Sequence, residues 1–152
     1  MNELPNKAEI HEELLSALVK KERHLESELS DLRLDLSSDT KSTAGDKHET
    51  SRAMNQLEQE RISEQLLELK KAIILVKNID TDQIHSKIGL GTLLRASSGN
   101  FYLSIGHGAL KVGDETYYCL SPVSPFGKLL IGKTANERVF WQGKEIAINT
   151  IQ

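Results

Sequence analysis

The sequence predicts an α+β fold: an N-terminal antiparallel coiled-coil hairpin of two helices, then a small antiparallel β-sheet domain with one short helix. Three observations predict it. Apolar residues recur every three or four positions over residues 7–36 and again from Met54 to Val76; the period drops to two from Gly89 onward; and a polar break at 37–50 separates the helical stretches. The expected boundaries are 1–80 for the hairpin and 81–152 for the sheet domain.

The first helix follows Pro5 and Asn6, a stop and a cap, and its apolar seam reads Leu15, Leu18, Leu25, Leu29, Leu32, Leu36 with charged residues between. At ~1.5 Å per residue it is about 45 Å long. The second carries Met54, Leu57, Ile62, Leu66, Leu69, Ile73 and Val76, and Leu67, Ile74 and Leu75 widen its apolar face, as for contact with the sheet domain. Neither stripe is stable in water alone, so the two helices are expected to pair antiparallel across the break. A dimerising coiled coil, with the break as a mere loop, satisfies the same seam.

Residues 81–88 join the two parts. Strands are expected near 90–95, 100–106, 115–121, 137–142 and 144–151, punctuated by Ser98-Gly99-Asn100, Gly106-His107-Gly108, Gly113-Asp114 and Gln142-Gly143. Short connections make the sheet mostly antiparallel. Between the third and fourth of these strands, Ser124 before Pro125, an apolar run and Gly132 mark one short helix. Of Phe140 and Trp141, adjacent on an alternating strand, one is expected to face out and the other to pack inward.

Charge narrows the function. Residues 1–80 hold 12 Lys or Arg against 17 Asp or Glu, net −5, and residues 81–152 hold 7 against 5, net +2. Neither part has the basic field that binds bare duplex, so sequence-specific DNA binding is not expected and the partner is expected to be a protein. The single cysteine, Cys119, forms no internal disulfide and lies in an apolar-aromatic run, which predicts a buried thiol in a reducing compartment. With no apolar leader and no run long enough to span a bilayer, the expected setting is soluble and cytoplasmic, with no membrane partner.

Little else here carries chemistry. His11, His24, His48, His85 and His107 are scattered without zinc spacing and are expected at the surface; Gly106-His107-Gly108 lacks phosphate-loop spacing and reads as a turn. No metal or other cofactor is expected in the isolated chain. Asp46 and Glu49 support two readings. Asp-x-x-Glu before a helix is the spacing of a capping box. Spacing alone favours the cap; the functional reading is that two carboxylates at a hairpin tip start a Mg²⁺ site, although Mg²⁺ takes about six oxygens, so the remaining ligands would come from a partner and substrate.

Two segments carry a resemblance. Gly45-Asp46-Lys47-His48-Glu49 and Ser121-Pro122-Val123-Ser124-Pro125-Phe126-Gly127-Lys128-Leu129-Leu130-Ile131-Gly132-Lys133 are similar to the Gly-Asp-x-x-Glu and Ser-Pro-x-x-x-x-Leu-Ile/Leu-Gly-Lys signatures of one family. In both, and in their order, the chain resembles the Gre family of bacterial transcript cleavage factors. That resemblance implies a sheet domain similar to FK506-binding proteins and RNA polymerase as the partner. It implies a hairpin in the polymerase's secondary channel, where Asp46 and Glu49 help retain Mg²⁺ shared with the polymerase while the polymerase cuts the 3′ end of backtracked RNA. The chain would then be an elongation factor rather than an independent enzyme, and a monomer.

Lys41, Lys47 and Arg52 flank the acids as candidate contacts to RNA phosphate or to acidic channel walls. Ser124, Pro125 and Phe126 are candidate partner contacts for a sheet domain docked at the channel rim. The family signature continues with Asn and then an aromatic residue, where this chain has Thr50 and Ala53. The alternative is therefore a channel-binding regulator or inhibitor that does not stimulate cleavage. Further readings are a homodimeric scaffold and a prolyl isomerase or chaperone, the latter requiring an aromatic-lined cleft from a chain of seven aromatic residues.

Overall fold

Asn6 begins the first helix by satisfying its leading amides: its Oδ1 accepts from the Ala8 amide at 3.0 Å and its carbonyl from the Glu9 amide at 3.0 Å. The computed structural model describes residues 6–39 and 45–152, with backbone alone at 36–39 and 45–48. Helix α1 spans Lys7–Asp39 and α2 spans Gly45–Lys77, 33 residues each. Each is about 50 Å long at ~1.5 Å per residue.

Both helices run into the expected break. Residues 37–39 continue α1 and 45–50 open α2, leaving 40–44 outside the described residues. Ser, Thr and Asp each cost a helix only about 0.5 kcal/mol relative to Ala, too little to stop one that is already propagating.

The chain divides into two compact units, Ala17–Ile74, and Met1–Ser16 with Leu75–Gln152. In the first, the helices pair antiparallel: Lys70 Nζ lies 3.4 Å from Glu26 Oε1, and the Asn55 amide donates to the Leu32 carbonyl at 3.0 Å. Leu18, Leu25 and Leu29 are buried on α1 and Ile62, Leu66, Leu69 and Ile73 on α2. The seam is narrower than expected. Met54, Leu57, Leu67 and Ile74 are exposed, as is Leu75 in the other unit, because one neighbouring helix covers only a narrow stripe. Leu14, rather than Leu15, continues the buried line toward the N-terminus.

The second unit holds strands β1 Leu93–Ala96, β2 Gly99–Leu103, β3 Gly108–Val112, β4 Glu115–Leu120, β5 Arg138–Trp141 and β6 Lys144–Ile151, with helix α3 at Pro125–Leu130. They form one sheet in the order β3-β4-β2-β1-β6-β5. Four pairings are antiparallel, but β2 and β4 run parallel, in register from Asn100 against Tyr117 to Leu103 against Leu120. The sheet is therefore mixed. Strand β3, absent from the sequence reading, causes this by turning the chain once before β4 returns beside β2. It begins at Gly108, inside the expected turn, and buries only Leu110, so it gives almost no alternating signal.

Each face of the sheet has its own cover. Leu94, Phe101, Leu103, Ile146 and Ile148 join Leu130 of α3 in one apolar cluster. On the alternate positions Tyr102, Tyr117 and Cys119 are buried, and the Tyr102 hydroxyl lies 2.9 Å from His11 Nδ1. His11 is thus a buried group rather than a surface one, its lost water replaced by a hydroxyl partner. One turn earlier, buried Lys7 donates from Nζ to the carbonyls of Gln83 at 2.6 Å and Gln152 at 3.2 Å. Among the described residues no helix is long and apolar enough to cross a membrane.

Candidate functional site: the hairpin tip and an aromatic cleft

With α2 starting at Gly45, Asp46 stands inside the first turn rather than before it, two positions past the cap place of a capping box. Helical backbone at both places puts positions 46 and 49 three residues apart on one face. Glu49 is exposed, and Arg52, three residues further on, is half-buried. Lys41 and the side chains of Asp46 and Lys47 lie outside the described residues. Thr50 and Ala53 are exposed.

Paired carboxylates are the right donor type for Mg²⁺ but supply too few of its six oxygens. Among the described residues no group of three or more His, Cys, Asp or Glu could hold a metal ion. Apolar surface accompanies the acids: Leu34 on α1 and Met54 and Leu57 on α2 are each about 65% exposed, at the level set by the Leu32–Asn55 bond.

The second candidate region is built by α3. The Ser124 hydroxyl accepts from the Gly127 amide at 3.1 Å and donates to the Ser121 carbonyl at 2.6 Å, while Pro125 fills the first helical position, where no amide is needed. Of the three predicted contact residues, Ser124 thus holds its own helix and Pro125 is exposed. Phe126 stands between Phe101 and Trp141, with ring centroids 5.2 and 5.3 Å away. With Tyr118, 5.9 Å from Phe101, these rings line a cleft of about 660 Å³. Phe140 faces the other way and is exposed.

Sequence reasoning missed this cleft. Phe101, Tyr118, Phe126 and Trp141 come from four separate elements, and only the parallel β2–β4 pairing makes Phe101 and Tyr118 neighbours. Nearby, Cys119 is buried and its thiol is pushed up to about 12 by desolvation, as suits an inert side chain.

Fold and tip define a class: a helical hairpin bearing acidic residues at its turn, followed by a small mixed-sheet unit. No protein-family description and no curated protein matches the sequence. Among solved structures, that of the transcription factor Gfh1 aligns with 90% of this chain and 92% of its own, at 15% identity and a TM-score of 0.36.

Proposed function

We propose that this chain is a transcription factor that binds RNA polymerase, inserts its hairpin tip into the secondary channel and stimulates metal-dependent cleavage of backtracked RNA. The observation that carries this reading is the position of Asp46 and Glu49, on one helical face at the end of two paired 33-residue helices, with Glu49 exposed. Long paired helices deliver groups into a cavity that a compact unit cannot enter. The exposed Leu34, Met54 and Leu57 give the arm apolar surface to bury there.

In phosphodiester hydrolysis Mg²⁺ activates water and stabilises the leaving oxygen. The chain's own part is to position two carboxylates as added ligands. Arg52, Lys41 and Lys47 offset phosphate charge beside them, and the sheet unit docks at the channel rim through Pro125 and Phe126. Such a protein acts as a monomer in the cytoplasm and is not an enzyme in isolation. Purified polymerase stalled on backtracked RNA tests this: with Mg²⁺, the protein should release short 3′ fragments.

The second reading is a regulator that occupies the channel without stimulating cleavage. Thr50 and the exposed Ala53 favour it, because both depart from the cleaving signature. Binding to the same complex without fragment release would establish it.

A further inference from the structure

We propose that Asn55 is a positioning residue for the hairpin tip: its bond to the Leu32 carbonyl fixes how far α2 is rolled about its own axis, and so where the helix face bearing positions 46 and 49 points. The inference rests on the reading of those two acids as the working groups. On α2 the seam residues recur by threes and fours, and they change character along the arm. Ile62, Leu66, Leu69 and Ile73 are buried and apolar, but toward the tip the same spacing reaches Gln59, Asn55 and Arg52, each half-buried. Among the described residues nothing at 30–35 or 49–61 is buried, so the apolar seam ends at Leu29 and Ile62.

Beyond that point polar groups tie the helices together. The Asn55 amide donates to the Leu32 carbonyl at 3.0 Å, and its own oxygen accepts from the Gln59 amide at 2.7 Å, which orients it. An apolar stripe tolerates roll, because one methyl group replaces another against the facing helix. A bond to a backbone carbonyl does not, since it weakens steeply as its angle closes. A polar residue in an otherwise apolar seam is likewise what fixes alignment in coiled coils, at a cost in stability.

The clamp is near enough to govern the tip. At about 3.6 residues per turn, positions 49 and 46 lie about 120° and about 180° round α2 from Asn55, and about 9 and about 14 Å along it. Asn55 held against α1 therefore turns both acid positions toward the far side of the helix, with no buried seam between to do the same.

Nitroxide labels at Asp35→Cys and Glu49→Cys report the roll in the full chain alone, where the native Cys119 is buried and resists labelling. Asn55→Leu, and Asn55→Asp, which keeps the shape but cannot donate, should each shift or broaden the label-to-label distance by about 4 Å or more, as when a side chain ~5 Å from the axis is carried through half of one residue's turn. Tm should hold or rise in Asn55→Leu, because leucine extends the apolar seam; a merely structural asparagine predicts a lower Tm in both variants with distances unmoved. Made in the otherwise native chain and tested on stalled polymerase, both substitutions should lower the saturated cleavage rate at least about tenfold with little change in the half-saturating concentration, since ångström misplacement at a reacting centre carries factors of that size. Unchanged distances in both variants, or shifted distances with native cleavage, would overturn the assignment. The distance measurement needs no polymerase, so a native protein that binds without cutting contradicts the tip's role while the distances still decide the clamp.

Discussion

A methyl group at position 127 would sit 2.1 Å from the Ser121 carbonyl oxygen and 2.8 Å from Ser124 Oγ. Alanine normally stabilises a helix by about 1 kcal/mol over glycine, but here the obstacle is backbone that cannot swing aside, so the clash wins. Gly127→Ala should cost about 1–3 kcal/mol in chemical unfolding, the cost of overpacking. Ser124→Ala, which removes the cap, should cost about 1 kcal/mol. His11 gives a pH dependence. Burial holds its pKa below the ordinary 6.5, against the smaller opposing pull of Glu12, and His85 is lowered by burial and by Lys7. The unfolded chain therefore takes up protons near pH 6.5 while the folded one resists. This contribution is complete above that pH and is lost as pH falls below it. Thermal melts should show Tm dropping from pH 7 to 5.5, ahead of the carboxylate range, and His11→Gln should flatten that slope.

Among elements, α1 and α2 were legible in the sequence because long periodic stretches report their own structure. Leu18, Leu25, Leu29, Ile62, Leu66, Leu69 and Ile73 are all buried as their spacing predicts. What the period could not convey was how much of each face a neighbour covers, hence the exposed Met54, Leu57, Leu67, Ile74 and Leu75. Strands β1, β2, β4, β5 and β6 were legible for the same local reason, and so were the Ser124 cap and the Gln142-Gly143 turn, whose φ values of 51° and 77° suit a two-residue hairpin. Strand β3 was not, nor were contacts that join distant residues, such as His11 with Tyr102, Lys7 with Gln83 and Gln152, and the four rings of the cleft. Such contacts depend on sheet order, which no window of sequence contains. The seam itself is open to test. Leu66→Ala should destabilise the chain by about 2–5 kcal/mol, the usual cost of deleting a buried leucine, whereas Leu67→Ala on the exposed face should change it by less than about 0.5 kcal/mol; parallel urea titrations would compare them.

For the whole molecule, the tip was legible only as a motif: Asp46 and Glu49 were singled out by spacing and resemblance, and the backbone adds that both lie within the first two turns of α2. An intramolecular hairpin predicts sedimentation as a monomer of about 17.0 kDa at micromolar concentration, while the dimeric scaffold predicts a concentration-dependent doubling. The central claim, that the tip acids reach a partner's catalytic cavity, is tested most directly by site-specific cross-linking. Glu49→Cys can be labelled selectively, because the native Cys119 is buried and its thiol is pushed up to about 12. In a backtracked polymerase complex, a photoreactive group at position 49 should attach to polymerase segments around the catalytic Mg²⁺ or to the RNA 3′ end. Attachment to the outer surface of the polymerase, or only to a second copy of this chain, would contradict the account.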